Sequence, residues 1–342
     1  SRRLADLGRG AGGRALKRSL VTGGHGFVAS NLARALLERG DAVSVLDLAP
    51  PPRSGLALQG IDSDVELLEV DLRDAPAVEA AITAGEFEVV FHLAAQTLVG
   101  PAMADPTQTF EVNVRGTWSL LEACRRADVP AVIVASSDKA YGPSDELPYR
   151  EEMRLQPASP YEASKAAADA IALSYRPSYG LPVAVTRFAN IYGGGDPNFS
   201  RLIPEAIAAV LDGRRPQIRS DGSPERDFLY VSDAVAAYLA VEHAVGAGGP
   251  GAGEAFNAGG ERPYSVAEVL ETIVDVSSTD LQPEFLGTGN PAGEIDRQYV
   301  DSTKLRELTN WRPEIELRDG LIRTLDWYRD HPGLRPMAAE AK

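Results

Sequence analysis

The segment Ser19-Leu20-Val21-Thr22-Gly23-Gly24-His25-Gly26-Phe27-Val28-Ala29 decides the reading of this chain. Ser19 to Thr22 is a short strand. Phe27 to Arg39 carries apolar residues at helical spacing and is closed by Gly40. The turn between them satisfies the pattern G-x-G-x-x-G/A through Gly24, Gly26 and Ala29, the last standing where glycine is commoner. Glycines accept positive φ and let backbone N–H groups approach a pyrophosphate, toward which the following helix turns its positive end. Such a turn is weak evidence alone. A strand before it and a helix after it, at the start of a strand–helix series, make it a dinucleotide-binding signal.

Outward from this turn the alternation continues. Ala42 to Leu46 is an apolar strand ending at Asp47, Val65 to Val70 one ending at Asp71, and Phe87 to His92 one running into Leu93-Ala-Ala-Gln96. Helical spacing covers Ala75 to Thr83, Thr107 to Ala127 and Pro160 to Tyr175, where Pro177 ends the helix. Ala131 to Ala135 and Val183 to Phe188 are further apolar strands. The pattern predicts an α/β fold: a doubly wound parallel sheet of Rossmann type, with helices on both faces. Beyond Asn190, glycines, prolines and arginines break the rhythm. The expected organisation is a leader over 1–17, a dinucleotide-binding domain over 18–190, a smaller C-terminal α/β substrate domain over 191–330 and a tail over 331–342. Residues 227–245 look like one more strand and helix returning to the sheet. Asp47 falls 21 residues after Gly26, where an acid bonds the adenosine ribose and repels a 2′-phosphate. That favours NAD over NADP, with Arg53 nearby as the one opposing charge.

Composition narrows the function. The 342 residues are 44% hydrophobic and 24% charged, with 34 Lys+Arg against 49 Asp+Glu and a net charge of −15. An acidic surface of that size speaks against nucleic acid or an anionic membrane as main partner. No apolar run has the length of a membrane span, and the basic first 18 residues lack the apolar core of a secretory signal. Cys124 is the only cysteine, so no intrachain disulfide forms, and a cytoplasmic setting is expected. His25, His92, His243 and His331 show no ligand spacing, so no metal site is expected. His92 ends a core strand and reads as packed.

Two further stretches carry chemistry. In Tyr161-Glu-Ala-Ser-Lys165, tyrosine and lysine lie about one helical turn apart and share a face. An ammonium and a positively charged nicotinamide would stabilise the phenolate, letting Tyr161 take a proton from a substrate hydroxyl as hydride leaves its carbon. Ser136-Ser137-Asp138-Lys139-Ala140-Tyr141-Gly142 follows a strand, at the sheet edge where active sites of open α/β folds lie. A hydroxyl there can hold the substrate oxygen beside Tyr161.

Taken in order, VTGGHGFVAS, FHLAAQ, EVNVRGT, SSDKAYG, YEASK, RFANIYGGGD, ERDFLYVSDAV and FNAGG resemble an extended short-chain dehydrogenase/reductase of the nucleotide-sugar epimerase/dehydratase family, over roughly residues 18 to 330. The resemblance implies bound NAD, held by Gly23, Gly26, Phe27, Val28, Asp47, Leu48, Asp71, Leu72, Leu93, Ala94, Ala95, Asn113, Ser136, Tyr161 and Lys165. It implies Ser137, Tyr161 and Lys165 as the oxidising set. It places Gln96, Asn190, Phe199, Arg201, Leu202, Gln217, Arg219, Arg226, Asn257 and Arg297 toward a nucleotide-diphosphate sugar, with Arg226 and Arg297 clamping the diphosphate. It also implies a homodimer built on the two long helices. Asp138-Lys139 resembles CDP-glucose 4,6-dehydratases, although RSDGSPERDFLYV downstream follows the general epimerase pattern. C4 oxidation acidifies the C5 proton, so Lys139 can act as base and Asp138 as acid to the departing C6 hydroxyl. A 4,6-dehydratase is therefore expected; a 4-epimerase is the alternative, and a non-catalytic sugar-binding regulator a second one.

Overall fold

The structure is a computed structural model and describes residues 16–260, 262–289 and 295–335. Most of the expected leader, and residues 336–342 of the expected tail, lie outside that range. Seven parallel strands form the main sheet: β1 (Arg18–Thr22), β2 (Ala42–Asp47), β3 (Glu66–Glu69), β4 (Val89–His92), β5 (Val132–Ala135), β6 (Val183–Phe188) and β7 (Ala255–Ala258). Their spatial order is β3-β2-β1-β4-β5-β6-β7. The order reverses between β1 and β4, so the crevice beyond their carboxyl ends is the place for a ligand.

Both faces are covered, which explains the near-continuous apolar strands. Successive side chains point to opposite faces. Val21, Val89, Phe91 and Ile133 pack under α1 (Phe27–Arg39) and α6 (Val231–Val245). Leu20, Val90, Val132 and Val134 pack under α2 (Ala75–Gly85), α3 (Gly116–Arg126) and α4 (Pro160–Tyr179). A third core joins α5 (Leu202–Leu211), α7 (Val266–Ser277) and α8 (Leu317–Asp330) with Tyr192 and Phe228.

Several boundaries differ from the sequence reading. The helix expected over 107–127 is three pieces, Pro106–Phe110, a π turn over Glu111–Arg115, and α3. α4 runs through Pro177 to Tyr179; proline sits in its last turn, and Gly180 in left-handed conformation closes it. Phe228–Tyr230 does not join the main sheet. It pairs in parallel with Asn190–Tyr192, and only α6 returns. Conversely, Ala255–Ala258, expected in the second domain, adds to β6 as the outer strand of the main sheet. All four of its residues are buried, as a covered strand requires.

Candidate active site

Gly23 follows β1 at φ +75°, and a Cβ on it would lie 2.7 Å from the Ala94 Cα. Only glycine lets the two strand ends approach so closely at that φ. Gly26 opens α1 and has no side chain to cap it, so the first amides of the helix, those of Phe27 and Val28, are free for an anion. Asp47 ends β2 beside this turn. Its Oδ2 accepts the His25 N–H at 2.9 Å and its Oδ1 the Leu48 N–H at 2.8 Å. A narrow cradle with a fixed acid at the β2 end suits the pyrophosphate and ribose of NAD. Asp71 is paired with Arg73, whose hydrogen bonds hold the carboxyl below its usual range. Leu72 is buried against Gly116.

Tyr161 and Lys165 lie in the first turns of α4, which begins with a capping box between Ser159 and Glu162 and has Pro160 at its first position. The Tyr161 ring is buried, and Ser137 is among the groups that act on its phenol. Burial, then the charge of Asp138, push the phenol up to about 12. Lys165 Nζ donates to the Ala135 carbonyl at 2.8 Å, and burial pushes it down to about 8. The lowering of Tyr161 expected from Lys165 is not found: burial dominates, and the cation that lowers the phenol is Arg201.

Ser137 caps a 3₁₀ turn over Asp138–Tyr141, accepting the Lys139 N–H at 3.2 Å and donating to Asp138 Oδ1 at 3.1 Å. Asp138 is 1% exposed, and its Oδ2 makes no hydrogen bond among the described residues. Lys139 Nζ lies 4.0 Å from Asp138 Oδ1 and donates to Asn190 Oδ1 at 3.2 Å. Asn190 Nδ2 is in turn held by the Asp227 carbonyl. Ser137, Asp138, Lys139, Tyr161 and Lys165 are therefore together, as are Gly23, Ala94 and Asp47 at the neighbouring strand ends. Ser136 supports the group through its backbone, N–H to the Thr186 carbonyl at 2.8 Å.

The expected sugar-side residues are less uniform. Arg226 and Arg297 sit on neighbouring short strands, with Arg297 paired to Glu225 at 2.8 Å. Arg201 is anchored by the buried Asp196 at 2.8 Å, just before Leu202 opens α5. Phe199 packs on Tyr328. Gln217 bonds Glu284 at the strand pair that also precedes Arg219. Asn190 has its amide turned to Lys139. Gln96 folds its side chain back onto the Leu98 backbone. Asn257 is not brought to the cleft: it is fully buried, accepting from Tyr141 Oη at 2.8 Å and donating to the Tyr149 carbonyl at 2.9 Å. It braces the turn behind Lys139, together with the buried pair Arg187–Asp169, whose guanidinium also donates to Tyr141 Oη. Sequence reasoning missed that brace; the Ala-Tyr ending of the 138–141 turn was its only local signal.

Comparison with known proteins agrees with this geometry. A family model described as the NAD dependent epimerase/dehydratase family matches residues 19–259. The chain is 35% identical over 320 residues to a UDP-glucose 4-epimerase of Mycolicibacterium smegmatis, covering 92% of this chain and 99% of the relative. It is 34% identical over 321 residues to a dTDP-glucose 4,6-dehydratase of Streptomyces griseus, covering 91% and 94%. Among solved structures, a dTDP-glucose 4,6-dehydratase from Bacillus anthracis in complex with NAD superposes with a TM-score of 0.82 at 28% identity, covering 94% of this chain and 98% of that one. A Thermotoga maritima UDP-glucose 4-epimerase with UDP-glucose gives 0.84 at 28% identity, covering 92% and 99%. With the matched segment running from the glycine turn through β7, the chain belongs to the NAD-dependent epimerase/dehydratase family.

Proposed function

We propose that this chain is an NAD-dependent nucleotide-diphosphate-sugar 4,6-dehydratase. The observation that carries the reading is Asp138 and Lys139, an acid and an amine 4.0 Å apart directly after Ser137, with the buried Asp138 Oδ2 uncommitted. Simple C4 oxidation uses Ser137, Tyr161 and Lys165; a further acid and base answer to elimination. NAD, held at the Gly23–Val28 turn with Asp47, would supply a hydride acceptor for C4 and a hydride for C6. Ser137 holds the C4 oxygen, and Tyr161 takes its proton while Lys165 supports the phenolate. Lys139 then removes the C5 proton. Asp138 donates a proton to the C6 hydroxyl, the C6–O bond breaks, and water leaves as the C5–C6 double bond forms. Lys139, its N–H exchanged with solvent, then reprotonates C5. Arg201, Arg226 and Arg297 clamp the diphosphate between the carboxyl ends of the main sheet and the part built on α5, α7 and α8.

A 4-epimerase is the second reading, favoured by the 35% identity to the mycobacterial enzyme. Incubation with UDP-, dTDP- and CDP-glucose in D₂O separates the two. Loss of water with deuterium at C5 is expected. A product of unchanged mass without deuterium overturns the dehydratase in favour of the epimerase. We further propose that Asp47 selects NAD over NADP, that the enzyme is a homodimer, and that it works in a reducing, cytoplasmic setting, which the buried, unpaired Cys124 supports.

A further inference from the structure

A line of polar groups crosses the sheet beneath the site, centred on a residue that the proposed chemistry does not use. His92, the last residue of β4, is 2% exposed. Its Nδ1 lies 2.8 Å from Thr22 Oγ1 at the end of β1, and its Nε2 lies 2.9 Å from Thr117 Oγ1 in α3. Thr22 Oγ1 accepts the Ala94 N–H at 3.0 Å, on the cofactor side. Thr117 donates to the Asn113 carbonyl at 2.6 Å. The Asn113 side chain then accepts the Gln96 N–H at 2.7 Å and donates to the Gln96 carbonyl and to Ser164 Oγ, each at 2.9 Å. Ser164 donates to the Tyr161 carbonyl at 2.7 Å.

Counting protons gives the line a direction. The single proton of Thr117 goes to Asn113, so Thr117 accepts from His92 Nε2–H. His92 Nδ1 is then the acceptor for the Thr22 hydroxyl. Only the neutral Nε2–H tautomer satisfies both threonines, because a proton on Nδ1 would leave the Thr22 hydroxyl proton without an acceptor. Burial, and the nearby positive charge of Lys165, push the ring down to about 3, which keeps it neutral.

We propose that His92 is a positioning residue for C4 oxidation: its locked tautomer ties the cofactor-side strand ends, Thr22 and Ala94, to the helix turn that presents Tyr161. The strand ends beside the glycine turn and the helix turn that carries Tyr161 stand at the two ends of this line, so its length contributes to setting their separation. Misplacement by about 1 Å can cost ~10²-fold in rate. The inference rests on Tyr161 as the base of the oxidation and holds for dehydratase and epimerase alike.

The test uses the full chain with its co-purified NAD. His92→Leu removes both hydrogen bonds at similar volume; His92→Gln restores one acceptor and one donor. On mixing with UDP-, dTDP- or CDP-glucose, His92→Leu is expected to reduce its bound NAD ~10²-fold more slowly than wild type, at unchanged sugar affinity and NAD content. His92→Gln is expected to recover most of that rate. If His92→Leu fails to fold, Thr117→Val cuts the same line at its next link and is expected to show the same split. Nitrogen-15 NMR of histidine-labelled wild type is expected to show Nδ1 bare and Nε2 protonated at neutral pH. Wild-type rate in a folded His92→Leu, equal loss in the Leu and Gln variants, or a ring with Nδ1 protonated overturns the proposal. Wild-type enzyme that reduces no NAD with any sugar overturns the proposed function instead, and the measured tautomer still decides His92.

Discussion

Tyr161 and Lys165 share a helix face, yet burial moves them in opposite senses, the phenol to about 12 and the ammonium to about 8. Desolvation disfavours the charged form of each. Tyr161→Phe removes the proposed proton acceptor without changing the packing of the ring. It is expected to slow bound-NAD reduction by ~10²–10⁴-fold at unchanged NAD content, read by stopped-flow absorbance; normal turnover would remove the assignment. His92 supplies a stability signature. Its folded pKa of about 3 lies below the ordinary 6.5, so between those values the unfolded chain binds the extra proton. Its contribution is therefore full above pH ~6.5 and falls by about 1.4 kcal/mol per unit as pH drops toward 3. Denaturant titrations of wild type and His92→Gln should differ by that slope in that window and run parallel above it. These roles were unequally legible. Ser137 through Lys139, Tyr161 and Lys165 announce themselves by local spacing. Asn257 does not, because its partners Tyr141 and Tyr149 lie more than 100 residues away, and an asparagine in a strand-end motif reads equally as ligand contact or brace.

Elements were legible where a local signal marks their ends. α1 was expected over Phe27 to Arg39 and is found there, because its apolar spacing stops at Gly40, which adopts the left-handed closing conformation. The 107–127 stretch misled for a physical reason. A π turn adds a residue without interrupting the apolar pattern, so periodicity cannot see it, yet the turn is what carries Asn113 against Gln96 and Ser164. Pro177 misled in the opposite way, since a proline within the final turn displaces few backbone bonds. The glycine turn gives the sharpest test at this scale. Gly23→Ala would drive a Cβ to 2.7 Å from backbone at Ala94, in a conformation L-residues rarely adopt. Backbone, unlike a side chain, cannot swing aside, so the strand ends must part. The variant is expected to fold yet purify with its NAD content reduced at least ~10-fold, a loss of 1.4 kcal/mol or more in binding. Full NAD occupancy would show that the cradle is not where the cofactor sits.

For the whole molecule, the doubly wound parallel sheet with helices on both faces followed from the alternation of strand and helix, while its outermost strand, β7, did not. The α5–α7–α8 core did not, because β7 lies between α6 and α7 in the sequence but returns to the main sheet, and no local pattern records that excursion. One surface stays unexplained by the single chain. Leu98, Val99, Met103, Phe110 and Trp118 are exposed along the segment that leads into α3, with Met103 at 61% and Trp118 at 47%. Charged groups on α3, Glu122 with Arg125 and Arg126, border them, which is the polar rim around an apolar centre that interfaces show. The neighbouring α4 carries Tyr161 and Lys165, so a partner seated on this face would also stiffen the catalytic helix. In a two-fold dimer a patch meets its own copy, and Trp118→Glu would set two buried carboxylates toward each other with no cation assigned to them. Light scattering at micromolar concentration should give twice the 36.5 kDa chain mass for wild type and the single-chain mass for Trp118→Glu. Because the glycine turn lies between β1 and α1 on the other sheet face, the monomer should retain NAD and lose thermal stability more than cofactor affinity. A wild-type protein that scatters as a monomer would leave the apolar face without the partner proposed for it.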